Sequence, residues 1–261
     1  MFRYIVLGFI QGFTEFLPIS SSGHLVIFQD LFGLEGSNTL FNSLLHLGTL
    51  FSVLVIFRER IGKLILSPFN GSREDRKYLF FLVIATVPIA IVGFLARDFI
   101  EAAFGSVRSA GIGLLITGTV LWLVQFAKRG NRDMDSLSWK DSIFIGIAQV
   151  AALFPGISRS GVTISAGLFK KLDPDFAAEF SFLLMVPAVL GANVLKIGEG
   201  LMKNSGTSIG FWAYFLGTLT ATITGIIAIK WLLNLLRKGE LTRFSYYCLP
   251  LGSIVLAWSF F

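Results

Sequence analysis

Six stretches of this chain are apolar over about 20 residues each, the length that carries a helix across a bilayer. They run over approximately 40–57, 78–96, 108–127, 176–195, 210–230 and 243–261. That feature leaves few folds open. In hydrocarbon every backbone N–H and C=O needs a partner within the protein, so only helices or closed barrels span a membrane. The runs lack period-two alternation, which points to an all-α, polytopic membrane protein. Composition agrees. The chain is 54% hydrophobic and 15% charged, against about a quarter charged in soluble proteins.

The net charge of +6 would suit nucleic acid, but the basic residues sit in short clusters between apolar spans. Such clusters mark membrane topology, and nucleic-acid binding is set aside. The single cysteine, Cys248, rules out a disulfide framework and a cysteine-rich metal site. The first apolar stretch is broken by Gln11 and Glu15 and has no small-residue cleavage site. It is expected to belong to the mature protein.

Two regions resist the spanning pattern. In 1–34 an apolar run ends at Pro18, a Ser/Gly-rich break follows, and only Leu25 to Leu34 remain. In 141–172, Ser142 to Phe154 is followed by P-G-I-S-R-S-G and then Val162 to Leu172. Half-length helices of this kind reach about 15–20 Å of a ~30 Å hydrocarbon core. They predict two re-entrant helix hairpins, with the broken backbone buried in protein or lining a wet cavity.

The two hairpins are copies. A shift of 138 residues lays Gly8 on Gly146, Gln11 on Gln149, Phe16 on Phe154 and Ile19 on Ile157. It also lays Ser20 on Ser158, Ser22 on Ser160 and Gly23 on Gly161, seven identities in sixteen ungapped positions. The three spans after each hairpin then correspond. Each unit crosses an odd number of times, so approximately 1–127 and 139–261 form an inverted repeat within one membrane domain, 1–261. Loop charge supports that arrangement. Basic residues crowd 58–77, 128–140, 170–171 and 230–243, against Arg3, Arg97, Arg108, Lys196 and Lys203 on the other side. Positive-inside places both termini outside the cytoplasm. The hairpins then enter from opposite faces, and their breaks can meet within the membrane.

Gln11 and Glu15, four residues apart, share a helix face. A carboxylate inside an apolar helix costs about 2.5–3.5 kcal/mol at mid-membrane. It is either hydrogen-bonded to a neighbouring helix or functional, as a metal ligand or general base. The S-S-S-G break offers hydroxyls and a restarting helix N-terminus, which favours anions. The second break repeats this and adds Arg159, whose planar fork suits phosphate oxygens. Either break could be a plain helix cap; two, carrying Arg159 on one side and Glu15 and His24 on the other, suggest a site. His24 is either a packed ring or a proton carrier. Glu179 and His46, the latter without polar company in its span, are read as structural. The inventory suits phosphoryl transfer, which depends on positioning and charge stabilisation. A substrate arriving through apolar walls would be a phospholipid or isoprenoid phosphate. A secondary transporter built on the same inverted repeat is the alternative from a different class.

Q-G-F-T-E-F-L-P-I-S-S-S-G-H, Gln11 to His24, resembles the first signature of the BacA-type undecaprenyl-diphosphate phosphatases, the bacitracin-resistance family. P-G-I-S-R-S-G-V-T, Pro155 to Thr163, resembles the second, and E-F-S-F-L-L-M-V-P, Glu179 to Pro187, also matches. The resemblance covers essentially the whole chain. It implies hydrolysis of undecaprenyl diphosphate to the monophosphate carrier lipid and inorganic phosphate. The reaction would be supported by Mg²⁺ or Ca²⁺, at the outer face of the bacterial cytoplasmic membrane. It implies catalytic roles for Glu15, Ser21, His24 and Arg159. Glu15 and Gln11 would bind the metal; relatives often carry Glu at the Gln11 position, so Glu15 would be the one carboxylate. Ser20, Ser22, Gly156, Ser158, Ser160 and Thr163 would be phosphate-binding or structural. Ser21 as nucleophile, with Glu15 or His24 as base, and direct attack by water both remain open. The implied partner is the lipid substrate within the bilayer, and a homodimer is an open arrangement.

Overall fold

The computed structural model describes residues 1–34, 39–104, 106–202 and 210–260, with the side chains of 39 and 194–202 excepted. Twelve α-helices run through the described residues. They are α1 (Phe2–Phe16), α2 (Ser21–Leu31), α3 (Thr39–Ile56), α4 (Arg58–Asn70), α5 (Arg73–Leu95), α6 (Arg97–Phe104), α7 (Val107–Leu123), α8 (Trp139–Ala151), α9 (Arg159–Phe169), α10 (Pro174–Met202), α11 (Phe211–Arg237) and α12 (Ser245–Trp258). No strand is present among them; the one β-bridge joins Arg132 to Leu172.

Among the described residues, four helical stretches are long and apolar enough to cross a membrane: Arg73–Leu95, Val107–Phe126, Pro174–Asn193 and Phe211–Arg237. They correspond to four of the six sequence stretches. The first stretch, 40–57, becomes α3, which joins α4 through an 85° bend; the pair counts as a fifth span if taken together. The last, 243–261, yields the 14 residues of α12 after a 3₁₀ turn at Leu241–Phe244. That is about 21 Å of helix at 1.5 Å per residue. Lys203 and the Lys196 side chain, both used in the loop-charge argument, lie outside the described residues.

The breaks are written into the local sequence. Pro18 disfavours helical geometry at the residue before it, and Leu17 turns extended, at φ −64° and ψ 143°. Ser20 caps the restarting α2 by accepting from the Gly23 N–H at 3.2 Å. In the second region Ser138 and Asp141 form a reciprocal capping box that starts α8. Ser158 caps α9, accepting from the Gly161 N–H at 3.1 Å. These four helices have 15, 11, 13 and 11 residues, or roughly 16–22 Å each, short of a ~30 Å core.

Small residues let the short helices sink among the long ones. α1 packs on α11 and α8 on α5. A Cβ on Gly8 would collide with the Gly217 carbonyl, and one on Gly146 with the Ala85 carbonyl. Close backbone approach of this kind is how helices associate without a hydrophobic drive between them. Around the broken segments lies an apolar core that includes Phe16, Phe182, Leu121, Ile164 and Leu232. The outer faces are apolar too: Phe80, Ile91, Phe94 and Leu95 of α5 and Phe215, Ile223 and Ile227 of α11 are exposed. An apolar exterior around buried polar residues is the pattern of a multi-pass membrane protein.

Candidate active site

α1 and α2 bring three polar groups of the first break, Gln11, Glu15 and Ser21, to one point. Gln11 and Glu15, one turn apart on α1, face the same way, and Gln11 Nε2 donates to Glu15 Oε2 at 3.0 Å. Ser21, the first residue of α2, donates its hydroxyl to the same carboxylate oxygen. Ser20 precedes it with φ +68° and ψ 100°. A positive φ is uncommon outside glycine; among the described residues only Ser20 and Lys171 show it. Ser20 Oγ and Ser22 Oγ lie 3.2 Å apart.

The second break docks directly on the first. Gly156, at φ +88°, has no room for a side chain against the Ala110 carbonyl. Its N–H donates to Ser22 Oγ at 3.4 Å. Ser160 Oγ reaches the Leu17 carbonyl at 3.4 Å. Thr117 of α7 braces the turn from behind, donating to the Gly156 carbonyl and accepting from the Ser158 N–H, both at 2.9 Å. Arg159, at the start of α9, donates from Nη2 to Glu15 Oε1 at 2.8 Å and from Nη1 to the Ser181 carbonyl at 3.3 Å. The expectation that the two breaks meet is therefore met in atomic contacts.

One carboxylate thus accepts from three side chains, two from its own half of the chain and one from the other. The Glu15 and Arg159 side chains are only 7% and 14% exposed. A desolvated pair like this persists when further hydrogen bonds satisfy its remaining lone pairs, and Ser21 and Gln11 supply them. The N-termini of α2 and α9 converge on the same place and add partial positive charge. With the guanidinium, they make a cluster of positive charge suited to an anion rich in oxygens.

Not every candidate faces this point. Ser158 and Ser160 lie 3.2 Å apart and hold the turn. Thr163 turns to α10, where its hydroxyl meets Ser181 Oγ at 2.6 Å. His24 points to α12, with Nε2 2.7 Å from the Tyr247 hydroxyl. Glu179 is structural, as expected: it accepts from Arg60 Nε at 3.2 Å and the Tyr78 hydroxyl at 3.3 Å.

His46 corrects the sequence reading. It has polar company, because Nδ1 lies 3.0 Å from Gln11 Nε2 and 3.7 Å from Glu15 Oε2. A signal was there: Asn42, His46 and Thr49 fall on one face at helical spacing. Tyr247, Ser181 and Thr117 were also missed; Ser181 lies within the Glu179 to Pro187 match, and no motif marks the other two.

For a divalent cation, the donor set is of the hard-oxygen kind. Gln11, whose Nε2 donates to the Glu15 carboxylate, has its Oε1 buried with no hydrogen-bond partner. No group of three or more His, Cys, Asp or Glu occurs among the described residues, so the protein offers no closed cage. One carboxylate plus an amide oxygen fits an ion whose remaining ligands are phosphate and water oxygens, the usual habit of Mg²⁺.

Comparison with known proteins bears on the whole chain. Residues 4–254 match the family described as bacitracin resistance protein BacA. An undecaprenyl-diphosphatase of Carboxydothermus hydrogenoformans is 42% identical, covering 98% of this chain and 96% of its own length. One from Halothermothrix orenii is 39% identical over 98% of this chain and 97% of its own. One from Methanobrevibacter smithii is 42% identical, over 96% and 95%.

Proposed function

Because this chain belongs to the bacitracin resistance protein BacA family, we propose that it is a membrane-embedded phosphatase acting on undecaprenyl diphosphate. It releases undecaprenyl phosphate and inorganic phosphate, and so returns the carrier lipid to peptidoglycan and other wall-polymer synthesis. Depleting the diphosphate form accounts for bacitracin resistance. The observation that carries the reading is the Ser21 hydroxyl donating to Glu15, whose other oxygen is held by Arg159 from the opposite break.

Arg159 and the N-termini of α2 and α9 bind the diphosphate oxygens and take up the charge that develops on the transferring phosphoryl group. Ser21 Oγ attacks the terminal phosphorus and its proton passes to Glu15. The bridging P–O bond breaks, and undecaprenyl phosphate leaves with the electron pair. The proton on Glu15 passes to solvent; water then attacks the phosphoseryl phosphorus, giving a proton to Glu15, the P–Oγ bond breaks, phosphate departs, and Glu15 hands the proton to Ser21 Oγ. Glu15 suits the base role over His24 because Glu15 is the group Ser21 touches. Glu15 and Gln11 Oε1 would hold Mg²⁺ or Ca²⁺, which neutralises charge on the phosphate oxygens when bound.

The membrane arrangement follows the same reading. Six spans and two re-entrant hairpins, α1–α2 and α8–α9, form an inverted repeat over approximately 1–127 and 139–261. Support comes from the packing of α1 on α11 and of α8 on α5, which the 138-residue shift exchanges. Both termini and the active site lie towards the outside of the bacterial cytoplasmic membrane.

The test is turnover. Purified protein in detergent, given undecaprenyl diphosphate and Mg²⁺, is expected to release phosphate. A transporter on this scaffold would release none.

A further inference from the structure

The environment of His24 places a proton on Nδ1 and reveals a partner no motif names. Its Nδ1 lies 2.7 Å from the Ser20 carbonyl oxygen. A carbonyl only accepts, so Nδ1 carries the proton. Its Nε2 lies 2.7 Å from the Tyr247 hydroxyl, and in a neutral ring that nitrogen accepts. The two rings also stack, with centroids 5.7 Å apart and planes at 10°. Both nitrogens are therefore occupied in a ring that is only 4% exposed. Neither bond points at Glu15 or Ser21.

The bond to Ser20 falls where the backbone is under strain. Ser20 holds φ +68°, a conformation that is strained for a non-glycine residue and persists only when its surroundings over-determine it. The next residue is Ser21. The Ser20 carbonyl is held twice by His24, through the ring and through the backbone N–H at 3.2 Å. The following residue of α12 reaches the same break, with Cys248 Sγ 3.7 Å from the Pro18 carbonyl.

We propose that Tyr247 is a positioning residue that keeps His24 as a neutral strut beneath the Ser20 carbonyl, so that the strained Ser20 backbone aims Ser21 at Glu15. The inference rests on the reading of Ser21 as the attacking group and gives His24 a different task from carrying protons. Other titratable groups on the surrounding elements are engaged elsewhere. Glu15 on α1 is tied to Arg159, Arg3 donates to the Phe32 carbonyl, and Arg108 on α7 lies over the Phe260 ring.

Four proteins measured side by side decide it: wild type, Tyr247→Phe, His24→Asn and His24→Ala, each purified whole in detergent. Tyr247→Phe keeps the stacked ring and loses one buried hydrogen bond. Its kcat should fall roughly three- to tenfold with KM unchanged. His24→Asn keeps an N–H donor near the Nδ1 position and should retain at least about a tenth of the rate. His24→Ala should lose on the order of 100-fold, as removal of a buried partner and release of strain would require. A His24→Asn protein as inactive as His24→Ala, or a Tyr247→Phe protein with wild-type kcat, overturns the strut. Nitrogen-15 NMR of histidine-labelled protein, with its 2 histidines, gives an answer independent of turnover. The strut requires the Nδ1–H form of His24, with an Nε2 signal that moves in Tyr247→Phe; an Nε2–H or doubly protonated ring contradicts it. If wild type fails to release phosphate, the phosphatase reading falls while the NMR result still decides the role of Tyr247.

Discussion

At the scale of single residues, Glu15 answers to competing demands. At rest it accepts from Arg159, Ser21 and Gln11 at once, and a carboxylate so fully satisfied is a weak base. On the proposed reading, a bound diphosphate would change that by drawing the Arg159 guanidinium onto its own oxygens. Arg159 is then needed for its shape as well as its charge. Lysine at this place offers a point charge without the fork, and Arg159→Lys should lose roughly 100-fold or more in kcat/KM, the size of a lost transition-state donor. Ser21→Ala should be inactive, and acid-quenched wild-type turnover should yield phosphoserine at Ser21 by mass spectrometry. A fully active Ser21→Ala protein would end the nucleophile role and leave water as the attacker. Glu15→Gln strands a buried guanidinium, so it should lose about 3–5 kcal/mol of stability along with activity, seen as a lowered unfolding midpoint in detergent.

At the scale of elements, the close helix crossings make the sharpest demands. A side chain on Gly8 has nowhere to go, because the Gly217 backbone fills the place of its Cβ. Gly8→Ala should therefore destabilise by about 1–3 kcal/mol, as overpacking does. Gly191→Ala, where a Cβ meets open space, should stabilise α10 by up to ~1 kcal/mol. Thermal unfolding of both variants in detergent checks the contrast. The four short helices were legible in the sequence because their causes are local: Pro18, the serine caps and the 138-residue echo. The 85° bend between α3 and α4 was not, since nothing in V-I-F-R-E-R breaks a helix by itself. The same limit hid Tyr247 and Ser181. Each meets the site only through the rotation of its helix, α12 or α10, and rotation is set by packing partners far away in sequence. His46 was missed for a lesser reason, since the polar face it shares with Asn42 and Thr49 was present and unread.

At the scale of the whole molecule, neither half of the chain contains a working site. Glu15 and Ser21 come from one break and Arg159 from the other; the positions that correspond under the shift are Leu153, Arg159 and, for His24, Val162. On the proposed repeat, duplication would have supplied two helix starts suited to anions, and divergence would have split the charges between them. The proposed orientation can be mapped with single cysteines, because Cys248 is free but buried. Phe2→Cys should react with a membrane-impermeant maleimide in intact cells, and Lys128→Cys only after lysis. The reverse pattern would invert the topology. The claim that both breaks make one hydrolytic centre is tested most directly by phosphate release from undecaprenyl diphosphate, measured for wild type and Arg159→Lys under identical conditions with Mg²⁺. Release by wild type and a loss of roughly 100-fold in Arg159→Lys is the predicted result. Equal rates in the two proteins, or none in wild type, would contradict it.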